Sequence, residues 1–290
     1  MDKNNSGQTA FGAATARLME QYEKAEWRLF YDPVITHLTN RITVFLMGFK
    51  SVRKVMFKLF DNQTDGIYGS QVCRTRFIDE KMQAALDSGI EQILILGAGL
   101  DTRAYRMALN EQAKVFEIDL AWVQKYKTEK LKKFYGALPK QVCYAPIDFN
   151  MQAISEVLKE SPFDFQKPTF IIWEAVTQYI SPAAVTKTFQ FISTMPAGSS
   201  VVFTYVLESV IKKESKIRGA NELMAFFEKR NSPWLFGIEP NALKTYLLQF
   251  GLVLTEDVGC EYYQQKYLNP INRKLNVTEI ERVTLARIVN

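Results

Sequence analysis

Residues 93–106 read ILILGAGLDTRAYR, and this stretch decides the fold. The apolar run Ile93 to Leu96 suits a strand buried on both faces, and Gly97 and Gly99 end it in a tight turn. A strand that turns on glycines into a helix brings backbone amides close to a ligand. The same rhythm recurs downstream: KVFEIDL (114–120), QVCYAPIDF (141–149), TFIIWEA (169–175), SSVVFTYV (199–206), LVLTEDVG (252–259) and ERVTLARIV (281–289). Helical stretches such as 151–159 and 182–193 separate most of these runs. The alternation predicts an α/β domain of seven strands, doubly wound and covered on both faces.

Working outward, residues 1–90 read as a helical cover. Ala13, Ala16, Met19 and Tyr22 recur at helical spacing until Asp32-Pro33 breaks the pattern. Residues 41–60 mix Val44, Phe45, Met47, Val52, Val55, Met56 and Leu59 with Arg53, Lys54 and Lys58. That amphipathic segment is expected to pack on its own domain rather than on a membrane or a partner. Residues 91–206 form the expected ligand-binding core, and 241–290 complete it. Between them, 207–240 interrupt the alternation with a helical insertion. Following a strand's C-terminal end, it is expected to lie on the ligand side as a lid. No repeat or linker divides the chain, so one domain is expected.

The chain has one histidine, His37, among 290 residues, which removes histidine-rich metal sites and leaves one candidate for any histidine base. Three scattered cysteines argue against a disulfide framework or a cysteine zinc site, and a reducing cytoplasm is the expected compartment. No metal is expected. The longest apolar run, 42–49, is far short of the roughly 20 residues a spanning helix needs. The N-terminus lacks the apolar core of a signal peptide. A net charge of +5 tolerates anionic partners without demanding nucleic acid. The lysines at 125, 127, 130, 132 and 133, and those at 212, 213 and 216 with Arg218, read as solvated faces.

Thr102 holds the place of the third glycine of a dinucleotide fingerprint, and Asp101 puts a carboxylate where a pyrophosphate would rest. A phosphate-free, cationic cofactor suits this turn better. Asp119 ends the second strand, placed to accept both hydroxyl protons of a ribose. Glu117 alternates to the other face. Asp148 ends the third strand, either as an acceptor for an adenine amino group beside Phe149 or as the cap of the next helix.

In their order and spacing, GAGLDTRAYR, FEIDL, PIDF and PTFIIWEAVTQYISP resemble the leucine carboxyl methyltransferase family, and most closely its bacterial branch, often labelled as acting in polyketide biosynthesis. TAFGAATAR, LFYDP, CRTRFID, WLFGIEPNALKTYLLQFG and ERVTLA extend the likeness over nearly the whole chain. The resemblance implies a class I, Rossmann-like methyltransferase sheet with an antiparallel last strand, and S-adenosyl-L-methionine as cofactor. It implies that Arg17 and Arg74 hold the cofactor's carboxylate, Gly97 and Gly99 form its turn, and Asp119 binds the ribose. Asp148 and Phe149 fall on the adenine side, Glu174 beside the methionyl group, and Tyr179 on the substrate side. Glu174 and Tyr179 are the implied catalytic residues. Arg76 and Arg103 read as structural salt-bridge residues. Ala175 and Ala121 depart from the family's usual glycine and proline, and Phe149-Asn150 from its usual Leu-Arg. A small-molecule or peptide-borne carboxylate is the expected acceptor, with a hydroxyl the alternative. Two rivals stand beside this reading, a nicotinamide-dependent oxidoreductase and a non-catalytic RNA-binding protein.

Overall fold

The computed structural model describes residues 5–63, 66–109, 112–149 and 151–289. Thr9, Ala10 and Phe11 of the TAFGAATAR stretch lie outside the residues whose side chains are described, as does Asn150. Five helices come first: α1 (Asn5–Gln21), α2 (Ile35–Leu38), α3 (Arg41–Met47), α4 (Lys50–Gln63) and α5 (Ile67–Asp87). The alternating core follows as β1 (Gln92–Leu96), α6 (Arg103–Arg106), β2 (Lys114–Asp119), α7 (Ala121–Tyr135), β3 (Val142–Pro146), α8 (Ile154–Lys159), β4 (Thr169–Trp173), α9 (Pro182–Ile192) and β5 (Ser200–Val206). The insertion carries α10 (Glu208–Ile211) and α11 (Ala220–Glu228). Helix α12 (Pro240–Leu248), β6 (Leu252–Val258), α13 (Cys260–Tyr263) and β7 (Glu281–Ile288) close the chain.

All seven apolar runs form strands of one sheet, ordered β3-β2-β1-β4-β5-β7-β6. Strands β1 to β5 pair in parallel, and β7 runs antiparallel to both β5 and β6. Every residue of β1 and β4 is buried because helices cover both faces. Ile93 and Ile95 face the layer built by α1, α2 and α5, whereas Leu94 and Leu96 face the layer built by α8, α9 and α12. Strand order reverses its direction of growth at β1 and β4. An open α/β sheet leaves a ligand crevice at the C-terminal ends of such a pair.

Two expectations need correction. The apolar residues of 41–60 do not all pack inward: Val44, Val52 and Met56 join the core, but Ile42, Phe45, Leu46, Phe49, Val55 and Leu59 are exposed. Lys127 is not on a solvated face either. It is buried against Glu117, with Nζ and carboxylate oxygen 2.7 Å apart, because it lies on the inward side of α7. No described helix is long and apolar enough to cross a membrane.

Candidate functional site

Four strand ends, those of β1 to β4, converge on a cavity of ≈ 900 Å³. After β1, Gly97 takes a φ of +67°, and a Cβ there would lie 2.4 Å from the Val176 side chain. Only glycine fits both demands. After β2, Asp119 ties two turns together: Gly99 N–H donates to Oδ2 at 2.5 Å and Leu120 N–H donates to Oδ1 at 2.6 Å. Burial pushes its carboxyl above the usual range, against the pull of these amides. After β3, the Asp148 carbonyl accepts from Met151 and Gln152, both at 2.9 Å, and Gln152 Oε1 accepts from the Asp148 N–H. That turn keeps Asp148 at the cavity wall. Helix α8 starts later, at Ile154, with Ala153 in the cap position, so Asp148 is not its cap. Phe149 is half-buried on the α8 side of the sheet.

After β4 comes a buried network of charges. Glu174 accepts from Arg74 Nε at 2.8 Å and from Arg103 Nη1 at 2.7 Å. Arg74 Nη1 also donates to Glu281 at 2.5 Å. Arg103 is bound by Asp101 through a short contact and by Asp79 at 2.8 Å, and Asp79 in turn meets Arg106 at 2.7 Å. Arg17 donates to the Leu100 carbonyl at 2.6 Å and to Thr102 Oγ1 at 3.2 Å, with Asp32 at 3.4 Å. Burial alone would raise the Glu174 carboxyl, but the guanidiniums of Arg103 and Arg74 outweigh it and hold it below its ordinary value. Asp101 is likewise held well down by Arg103, and Glu281 is pushed up by burial despite Arg74. Four arginines thus face five carboxylates, leaving the network one negative charge in excess when all are ionised.

The lid closes the other side of the cavity with Leu223, Phe226, Phe227, Arg230, Ser232 and Trp234. Tyr179 stands between the halves on a single 3-10 turn, edge-on to Phe227 (5.8 Å between ring centres) and Trp234 (6.4 Å). Burial pushes its hydroxyl well up, so it is poorly suited to act as a base. Arg17, Arg74, Gly97, Gly99, Asp119, Asp148, Phe149, Glu174 and Tyr179 all line this one cavity. Sequence reasoning missed Glu281 and the lid residues. It also treated Arg103 as structural, which agrees with its salt bridges but passes over its direct grip on Glu174. His37 is absent from the lining and stacks, exposed, on Phe134 at 3.4 Å.

Ala175, where the family usually has glycine, has a φ of +56° and donates its N–H to Thr204 Oγ1 at 2.7 Å. A side chain in this left-handed region costs about 1–2 kcal/mol, while glycine costs about 0.4–1 kcal/mol through the unfolded state. Ala175→Gly is therefore expected to leave stability unchanged or raise it by up to about 1.5 kcal/mol. A melting temperature lower than that of the parent chain would contradict this account.

The strand order, the glycine turn with an acid at the next strand end, and the antiparallel last strand define a class I S-adenosylmethionine-dependent methyltransferase. Residues 10–193 match the family model described as leucine carboxyl methyltransferase. The chain belongs to that family. A protein of Mycobacterium tuberculosis, provisionally named an S-adenosyl-L-methionine-dependent methyltransferase, is 28% identical over 274 residues, spanning 91% of this chain and 78% of the relative. A Mycobacterium marinum protein of the same provisional name is 30% identical over 235 residues, 75% of this chain and 70% of its own. Among solved structures, a provisionally named methyltransferase from Thermobifida fusca superposes with a TM-score of 0.57 at 15% identity, covering 88% of this chain and 93% of the other. A DUF574 family protein from Streptomyces avermitilis gives the same TM-score and identity over 94% and 96%. These two likenesses bear on the fold alone.

Proposed function

We propose that the chain is a cytoplasmic O-methyltransferase that uses S-adenosyl-L-methionine to methylate the carboxylate of a small, largely apolar acid. The residues present fit that cofactor. The Gly97 cradle admits close backbone approach, and the network's surplus negative charge suits a ligand carrying a sulfonium and an ammonium against one carboxylate. A pyrophosphate dinucleotide would meet like charge there instead. Arg17 and Arg74 would take the cofactor's carboxylate, Glu174 its ammonium, Asp119 the ribose hydroxyls, and Asp148 with Phe149 the adenine. When bound, the cofactor supplies an electrophilic methyl group. The chain's own residues orient the acceptor oxygen and keep water away, and the apolar lid serves the second task.

One observation carries the acceptor reading: among the described residues the cavity wall holds no histidine, and its tyrosine is kept protonated. A carboxylic acid has a reference pKa near 4 and needs no base at neutral pH. A hydroxyl must lose a proton. The apolar body of the acceptor is argued from Ile67, Leu223, Phe226, Phe227 and Trp234 around the lid side. Its oxygen has an unsatisfied group to meet in Ser232 Oγ, which is buried without a hydrogen-bond partner among the described residues.

A hydroxyl acceptor is the second reading, and Glu281 favours it, being a cavity carboxyl with a raised pKa. One experiment separates the two. Labelled methyl is offered with arylalkanoic acids, their alcohols, and peptides with free C-termini. The expected product is an ester on the apolar acids, releasing methanol in mild alkali, and His37→Asn should keep most of the activity. Glu281→Gln should leave no acid limb missing from the pH–rate profile, because no base is removed. An alkali-stable product, or loss of that limb in Glu281→Gln, would establish the hydroxyl reading instead.

A further inference from the structure

The helices α3 and α4 present an apolar face that no other described residue covers. Ile42 and Phe45 are 68% and 67% exposed, and Leu46, Phe49, Val55 and Leu59 are exposed beside them. Spacings of three, four and seven put Ile42, Phe45, Leu46 and Phe49 on one side of α3 and its continuation. The rings of Phe45 and Phe49 meet edge to face, 5.2 Å between centres, while remaining open to solvent. Such surface is costly to expose, and a contiguous patch of it marks an interaction site.

Charge identifies the occupant. Arg41, Lys50, Lys54 and Lys58 are exposed around the same face, and residues 41–60 contain no acidic residue. Arg53 is engaged elsewhere: it donates to the Met47 and Gly48 carbonyls at 2.6 and 3.0 Å and lies over the Tyr22 ring. That clamp fixes α4 against the end of α3. A second copy seated on this face by a two-fold axis would set cations against cations. A nucleic acid would satisfy the lysines and leave the aliphatic side chains without a partner. An anionic bilayer satisfies both at once, with hydrocarbon for Phe45 and its neighbours and headgroup charge for the lysines.

We propose that α3 and α4 form a peripheral docking face for an anionic lipid surface. The chain lies on that surface without spanning it. Its place next to the cavity is set by the chain itself: α4 runs within a few residues into α5, whose Ile67 and Gln71 line the cavity wall. The docking claim does not rest on the acceptor proposed above, and it is tested without any turnover.

The full chain is sedimented with vesicles of phosphatidylcholine alone and of phosphatidylcholine mixed with phosphatidylglycerol, at low and high salt. It is expected to pellet with the mixed vesicles only, and less so as salt rises. Each basic residue near an anionic surface strengthens binding roughly fivefold, so Lys54→Glu with Lys58→Glu should weaken it by on the order of 30-fold or more. Phe45→Ser with Phe49→Ser should abolish pelleting, while circular dichroism and S-adenosylhomocysteine affinity stay as in the parent. Phe45→Trp should give a blue-shifted emission on the mixed vesicles alone. No pelleting, equal pelleting with neutral vesicles, a dimer broken by Phe45→Ser, or tighter binding to RNA than to the mixed vesicles would each overturn the proposal.

Discussion

Asp119→Ala is expected to lower the affinity for S-adenosylhomocysteine about a hundredfold or more in a chain that still folds. The carboxylate closes the gap between the β1 and β2 turns, and each of its oxygens accepts one backbone amide while facing the cavity. In the cofactor pose proposed above, its remaining lone pairs would accept from two ribose hydroxyls. Hydrogen bonds to a charged partner contribute about 1.5–3 kcal/mol each, so losing two costs at least about 3 kcal/mol, or two powers of ten. The fold should tolerate the change because Gly99 and Leu120 border the cavity, where water can take over their N–H groups. Asp119→Asn keeps the shape and loses the charge, and its affinity should fall between the two. Calorimetry with the product, beside circular dichroism of each variant, decides the matter. An unchanged affinity in folded Asp119→Ala would remove Asp119 from the site.

The sheet was legible because a strand buried on both faces must be apolar, a rule that Ile93 to Leu96 of β1 and Phe170 to Trp173 of β4 obey, while the edge strand β6 mixes buried with exposed positions and still ends its run at Gly259. The turn residues were legible too, since Gly97 and Asp119 each occupy a strand end where the backbone leaves few alternatives. Glu281 was not. It begins β7, 207 residues from the arginine it binds, and nothing local separates it from any exposed glutamate that opens a strand. Lid residues were hidden for a related reason: Ser232 and Trp234 sit in the irregular stretch after α11, and Leu223, Phe226 and Phe227 read as any apolar helix face until α11 packs beside Val206 at the end of β5. Segment 41–60 failed differently. Its periodicity correctly gave helices, but periodicity states that an apolar face exists and not what covers it.

Arg103 carries the largest expected effect on stability. Its guanidinium is buried and meets Asp79, Asp101 and Glu174, three carboxylates drawn from α5, the β1 turn and the end of β4. Replacing it leaves, among the described residues, Asp101 with no direct cation and Glu174 with Arg74 as its one guanidinium, while Asp79 keeps Arg106. Removing one partner of a buried ion pair costs about 3–5 kcal/mol, because the charge left behind stays desolvated. Arg103→Ala should accordingly melt about 5–8 °C below the parent. Arg103→Met refills most of the volume without the charge, and it should recover only a minor part of the loss. The pH dependence gives the sharper test. In the parent, Asp101 and Glu174 are held below their ordinary values. Their contribution is fully present above the unfolded carboxyl pKa of about 4 and is lost as pH falls through the lower folded values. Without Arg103, burial is opposed only by Arg74 at Glu174 and by the more distant Arg17 and Lys127 at Asp101, so both carboxyls are expected to rise above that unfolded value and the native state to hold more protons than the unfolded one near neutrality. Stability then rises as pH falls from neutral toward about 5, opposite in sign to the parent's acid response. Thermal melts of the parent and both variants across this range measure the two slopes. A variant with the parent's slope would mean that the carboxylates are solvated and that Arg103 acts by packing alone.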